Sequence, residues 1–164
     1  MNKPEPFAVA VIRDLGPWRE FLASEVLLEM HKRGCCEDVL ATLGEIERRH
    51  QKRPDECELR VVTANREVPA GEVFLSVLAV LVTDIGVDSQ GRRVLKLWYG
   101  WARPGLGGPA LRWGADRLNG IRKAHRCQAI ETCSGRSEGA YARWIERNLG
   151  LQRVTTLYKK VFTD

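Results

Sequence analysis

The residues best suited to chemistry are Gly105-Leu106-Gly107-Gly108, set between a strand-like run ending at Trp101 and an amphipathic stretch opening at Pro109. Glycines there allow dihedrals closed to other residues and let a ligand approach the backbone with no Cβ in the way. The first N–H groups of a following helix have no partner inside it, and its dipole adds about half a positive charge. Such a place accepts a pyrophosphate, and Arg103 stands close enough in sequence to add a charge-assisted hydrogen bond. Two familiar phosphate loops are excluded. The dinucleotide fingerprint G-x-G-x-x-G fails because Ala110 stands where its third glycine belongs, and the P-loop pattern is absent.

Thiols and imidazoles offer less. Cys35, Cys36, Cys57, Cys127 and Cys133 form no C-x-x-C pair, and Met1 to Pro6 lacks the basic-then-apolar pattern of an export signal. They therefore read as reduced thiols in a cytoplasmic protein. His31 precedes Cys35 by one helical turn, but a metal site needs about four converging ligands and nothing nearby completes a set. No metal is expected.

The elements that must position the glycine turn follow from periodicity. Phe7 to Ile12 reads as a strand, closed by Gly16 and Pro17. From Trp18 apolar residues recur near helical spacing until Gly34, and a second helix covers Glu37 to Gln51. Glu58 to Ala64 and Glu72 to Thr83 are rich in β-branched residues. A turn-forming stretch, Asp84 to Gly91, then leads into a strand from Arg93 to Trp101. The last two strands make a hairpin, hence antiparallel neighbours. Val73 to Val82 is apolar on both parities, which predicts a strand covered on both faces. A helix from Gly107 to His125, a strand from Cys127 to Cys133, a helix from Gly139 to Asn148 and a strand from Val154 to Phe162 complete the order β-α-α-β-β-β-α-β-α-β. That is a mixed α/β (α+β) sandwich around one central sheet.

The 164 residues are about one domain's worth, with 44% apolar and 29% charged side chains and no apolar run long enough to span a membrane. Net charge is +5, unevenly placed: residues 101–164 hold 12 Lys and Arg against 5 Asp and Glu, and residues 1–100 hold 14 against 16. The basic half suits a polyanionic partner, either a phosphorylated cofactor or a nucleic acid. Interleaved aromatic and basic strand signatures are missing, so nucleic acid is not expected.

This arrangement resembles the GNAT (Gcn5-related N-acetyltransferase) superfamily, where a hairpin of strands leads into a [Q/R]-x-x-G-x-[G/A] turn, then helix, strand, helix and last strand. Gly105 and Gly107 match the two small positions, with Ala102 at the first. Gly139 to Leu151 is similar to the family's N-x-x-A-x-x-x-Y-x-x-x-G-F segment: Ala142, Gly150 and Leu151 are in register, Gly139 replaces the asparagine and Glu146 the tyrosine. The resemblance covers most of the chain, most strongly from Val73 onward. It implies one domain over 1–164, with a mostly antiparallel sheet flanked by helices. Small divergent proteins of this size also resemble those encoded by tailed bacteriophages, which implies host cytoplasm and a host protein as target.

What the resemblance implies is acyl transfer from acetyl-CoA, or another acyl-CoA, to an amine acceptor that is a small molecule or a protein. The pyrophosphate would lie on N–H groups of Leu106, Gly107 and Gly108 beside Arg103 and Gly105. The pantetheine arm would follow the backbone edge from Tyr99 to Trp101, where a backbone N–H would also meet the developing oxyanion, a contact worth about 2.7–4 kcal/mol in other systems. Glu131, in mid-strand, could deprotonate the amine directly or through water, and Tyr141 could protonate the leaving thiolate if its helix is shifted. Their ordinary alternatives are a paired carboxylate and a packed ring. A GNAT-fold protein that has lost catalysis and binds another protein is the competing reading, kept open by Ala102, Gly139 and Glu146.

Overall fold

A computed structural model describes residues 5–66, 70–133, 146–147, 152–154 and 157–162. Strand β1 (Phe7–Ile12) is followed by a helical rod made of α1 (Arg19–Phe21), a π-helical segment (Leu22–Leu27) and α2 (Leu28–Lys32). Next come α3 (Val39–Lys52), β2 (Glu58–Ala64), a short α4 (Val73–Ser76), β3 (Val77–Val87), β4 (Arg93–Ala102), α5 (Gly108–Asp116), α6 (Leu118–Ala124), β5 (Ala129–Cys133), β6 (Gln152–Val154) and β7 (Leu157–Val161). The strands form one sheet in the order β1-β2-β3-β4-β5-β7-β6, antiparallel throughout except where β4 runs parallel to β5.

Two apolar layers cover this sheet. On one face the rod and α3 pack Leu22, Val26, Leu27, Leu43 and Ile46 against Val80, Val82 and Trp101. On the other, α5 and α6 pack Ala110, Ala115 and Leu118 against Val62, Leu81, Leu95 and Leu97. β3 lies between both layers, and apart from Leu78 its residues from Val77 to Ile85 are buried, as an uninterrupted apolar run requires. Asp38 starts α3, its carboxylate accepting from the Ala41 N–H at 2.8 Å.

Several expected boundaries move. Val73–Ser76 is helical, so β3 begins four residues after its apolar run does. The cause is Phe74, whose ring stacks on Phe21 at 5.5 Å and meets Trp18 edge-on at 5.1 Å. β3 then runs on through Asp84 to Val87, and the turn shrinks to Asp88–Arg92, where the Asp88 carboxylate accepts from the N–H groups of Gln90 and Arg92. The helix expected from Gly107 to His125 breaks at Arg117, whose guanidinium folds back over the Trp113 ring at 3.3 Å and donates to the Trp113 carbonyl. The final strand is two, β6 and β7. The helix expected over Gly139–Asn148 lies outside the described residues apart from 146–147.

Among the described residues no helix is long and apolar enough to cross a membrane, and no three metal-ligating side chains converge. His31 Nδ1 instead meets the Cys36 carbonyl at 2.8 Å. Burial pushes the Cys57 thiol up to about 11 and also raises that of Cys127, whereas Cys35 is half-buried. A thiol reagent at pH 8 should therefore modify Cys35 well before Cys57 or Cys127, as peptide mass mapping of the folded protein would show. Equal labelling of the three would contradict this packing.

Candidate functional site

The site is built by a fault in β4. Val82 pairs with Tyr99 and Thr83 pairs with Leu97, so Trp98 is an extra residue, a β-bulge. One consequence is that two consecutive rings, Trp98 and Tyr99, pack on the same side of the sheet with centroids 5.2 Å apart. The second concerns β5. Its parallel pairing with β4 runs from Val94–Ala129 to Leu97–Thr132, while β4 continues along β3 to Ala102. Beyond Leu97 no pairing joins the two strands among the described residues, and this break in the ladder is the wedge.

Alternation decides which peptide groups face that wedge. The Arg103 N–H donates to the Leu78 carbonyl at 2.8 Å, so Arg103, and by alternation Trp101 and Tyr99, turn toward β3. Gly100 and Ala102 turn their N–H and C=O away from β3, toward the wedge. Of the stretch expected from Tyr99 to Trp101, Gly100 thus carries the main-chain pair directed away from β3, with Ala102 beyond it. The Tyr99 side chain packs against the α1–α3 layer, and Trp101 is 4% exposed. Arg49 of α3 holds the bulge from that layer: its guanidinium lies 4.3 Å over the Trp98 ring and pairs with Asp84 of β3 at 2.6 Å. Asp84 also takes Arg53 at 2.9 Å, and its side chain is 3% exposed.

The glycine bend follows at the wedge's open end. Gly105 has φ +75°, the left-handed region that favours glycine. Gly107 is required by crowding, since a Cβ there would press on the Leu78 carbonyl, the Arg103 nitrogen and the Ala102 carbonyl carbon, all backbone atoms. Gly108 by contrast faces open space. The Arg103 carbonyl accepts from Leu106 N–H at 3.1 Å and Gly107 N–H at 2.7 Å. Two of the three donors expected to hold a diphosphate are therefore engaged within the bend. From the described residues no bond reaches the N–H groups of Gly105, Gly108 or Ala110. The last two belong to the first turn of α5, with Pro109 between them lacking an N–H, so both meet the positive end of the helix dipole. Ala110 was invisible in the sequence, because nothing in a residue's type tells whether its own amide is bonded.

Arg103 braces this corner. Its Nε donates to the Val77 carbonyl at 2.7 Å and one terminal nitrogen to the Phe74 carbonyl at 2.8 Å. It also borders a cleft of about 360 Å³ walled by Phe21 and Phe74, with Glu20 and Glu25 at its rim. Glu131 is buried in β5 opposite Lys96, one pair before the strands part, on the sheet face away from Ile130 and α5. Tyr141 lies outside the described residues. The arrangement brings the bend, the wedge and Glu131 along one seam between β4 and β5.

No protein-family model matches the sequence, and no curated protein matches it either. Solved structures do. An acetyltransferase of the GNAT family from Staphylococcus aureus Mu50 superimposes with a TM-score of 0.67 at 11% identity, over 95% of this chain and all of that one. The NatC complex bound to Gag peptide and CoA contains a chain matching at 0.66 and 7% identity, over 97% of this chain and 100% of its own. The putative acetyltransferase yncA from Salmonella typhimurium, solved with its cofactor acetyl-CoA, gives 0.63 at 12%, over 98% and 96%. The fold is that of GNAT acetyltransferases, a mixed α/β architecture with a mostly antiparallel sheet between helices.

Proposed function

We propose that this chain, acting as one domain, is an acyl-CoA-dependent N-acyltransferase that transfers an acetyl or related group to an amine. The observation carrying this reading is the wedge at Trp98, toward which Gly100 and Ala102 turn their main chain, ending at amides that no described residue engages. A diphosphate fits the N–H groups of Gly105, Gly108 and Ala110. A pantetheine arm, itself a chain of amides, fits the main-chain groups of Gly100 and Ala102 as an added strand would. That solved structures of the same fold hold CoA or acetyl-CoA supports the choice of cofactor.

When bound, the thioester supplies an activated acyl carbon, and the protein's part is to place and to polarise. A main-chain N–H in the wedge stabilises negative charge building on the acyl oxygen. Glu131 takes the proton of the attacking amine, directly or through water, and Tyr141 returns one to the departing thiolate. Holding both reactants side by side accounts for roughly 7–11 kcal/mol of barrier in well-oriented systems, so few dedicated side chains are needed. Glu20 and Glu25 at the neighbouring cleft favour a cationic acceptor, and the peptide in the NatC complex supports a polypeptide among the candidates.

Acetyl-CoA at 100 times its dissociation constant should stabilise the protein by about 2.7 kcal/mol. For a chain of this size that is a rise of roughly 5–10 °C in melting temperature. Gly108→Glu separates the site from general effects. A carboxylate at the start of α5 should leave the free protein as stable or slightly more so, yet repel the diphosphate and abolish the shift. No shift in the parent with any CoA thioester would refute the reading, and an unchanged shift in Gly108→Glu would move the site elsewhere.

A further inference from the structure

β1 is an end strand of the sheet, and among the described residues no strand pairs with its outer edge. The Pro6 carbonyl accepts from the Asn65 N–H at 3.1 Å, which sets the alternation along the β1–β2 ladder. Ala8, Ala10 and Ile12 turn their peptide groups to β2, and Phe7, Val9 and Val11 turn theirs to the free edge. Edge strands of monomers are ordinarily blunted by a charge, a proline or a bulge. FAVAVI carries none of these, its pairing with β2 is unbroken, and Val9 and Val11 are 44% and 36% exposed. The run is flanked by opposite charges, Glu5 before it and Arg13 after it.

We propose that β1 is the seam of a homodimer, two copies pairing these strands antiparallel about a two-fold axis at Val9. Outward-facing residues must meet outward-facing residues, and the register centred on Val9 joins the most of them: Val9 with itself and Phe7 with Val11 in both directions. Each such pair exchanges two N–H···O bonds. The same register sets Glu5 of each copy beside Arg13 of the other, whereas a parallel copy would set like beside like. Both ends have capacity to spare. Glu5 receives Trp113 and Arg117 on Oε2 alone, and Arg13, though paired with Asp55 and Glu58, is 58% exposed. Val9 and Val11 share the face on which Val62 joins the α5–α6 layer, so pairing extends an apolar surface already present.

Light scattering or sedimentation of the full chain at micromolar concentration should give twice the 18.5 kDa chain mass. Val9→Lys places a charge on the seam and should give a monomer with its circular dichroism intact. Val9→Cys should crosslink on mild oxidation, because facing residues of a hydrogen-bonded pair lie about 5.5 Å apart at Cα, within disulfide reach. Leu28→Cys, 38% exposed on α2, should not. A parent that stays monomeric to hundreds of micromolar overturns the proposal, as does a dimer in which Val9→Cys crosslinks no better than Leu28→Cys. If Val9→Lys fails to fold, the crosslink alone decides.

Discussion

Gly107→Ala should cost this protein at least about 4 kcal/mol, the range reserved for substitutions that collide with something immovable. The new methyl group would meet three main-chain atoms, from Leu78, Ala102 and Arg103, and none can rotate aside as a side chain would. Relief requires β3 and the bend to separate. That would break the Arg103–Leu78 bond and withdraw the Arg103 carbonyl from Leu106 and Gly107. Gly108→Ala, one residue on, should be neutral or stabilising by up to about 1 kcal/mol, since it adds a good helix former in open space. Urea unfolding of the two variants side by side is the measurement. A Gly107→Ala protein melting within a few degrees of the parent would mean that the bend is not pressed against β3.

Asp84→Ala is the second large effect, and it joins stability to function. This buried carboxylate is shared by Arg49 and Arg53, and removing one member of a buried pair costs roughly 3–5 kcal/mol. The two arginines are each 36% exposed and retain Glu45 and Glu56, so the lower end of that range is expected. The specific consequence falls on Trp98. Without Asp84 the Arg49 guanidinium is no longer anchored over the ring, and the bulge loses the contact that holds it from the helix side. Calorimetry should show the lost stability, and the acetyl-CoA melting shift should shrink beyond what Asp84→Asn produces, because asparagine keeps one acceptor oxygen for an arginine where alanine keeps none. A full shift in Asp84→Ala would detach this clamp from the wedge.

Much of the architecture was legible because its causes are local. FAVAVI and ELRVVTA alternate or branch as strands do and are strands over the residues expected, and the β3–β4 hairpin is antiparallel as its turn requires. The glycine bend was legible too, since few residues other than glycine fit a left-handed dihedral or a carbonyl pressed against Cα. What escaped depends on long-range partners. LKLWYGW does not say which residue is the extra one, as that is fixed by the register of β3 on one side and β5 on the other. The apolar run from Val73 reads as strand throughout, yet Phe74 finds aromatic partners fifty residues away and pulls its turn into a helix. Arg103 reads as a ligand for phosphate, while two of its donors serve carbonyls of the segment that enters β3. Tyr99 and Trp101 turn their peptide groups toward β3, which the sequence does not tell, for parity follows from a single bond at Arg103.

The main-chain groups proposed to hold the cofactor at Gly100, Ala102, Gly105, Gly108 and Ala110 all belong to the polypeptide's common repeating unit. At Gly108 another side chain could stand and the same donor would still point the same way, whereas Gly105 needs its left-handed dihedral and Gly107, pressed on Leu78, forbids a substituent outright. Away from those two glycines, a surface made in this manner leaves evolution almost unconstrained at the level of residue identity. Lineages could drift far apart in spelling while keeping one grip, and shape would outlast every recognisable word.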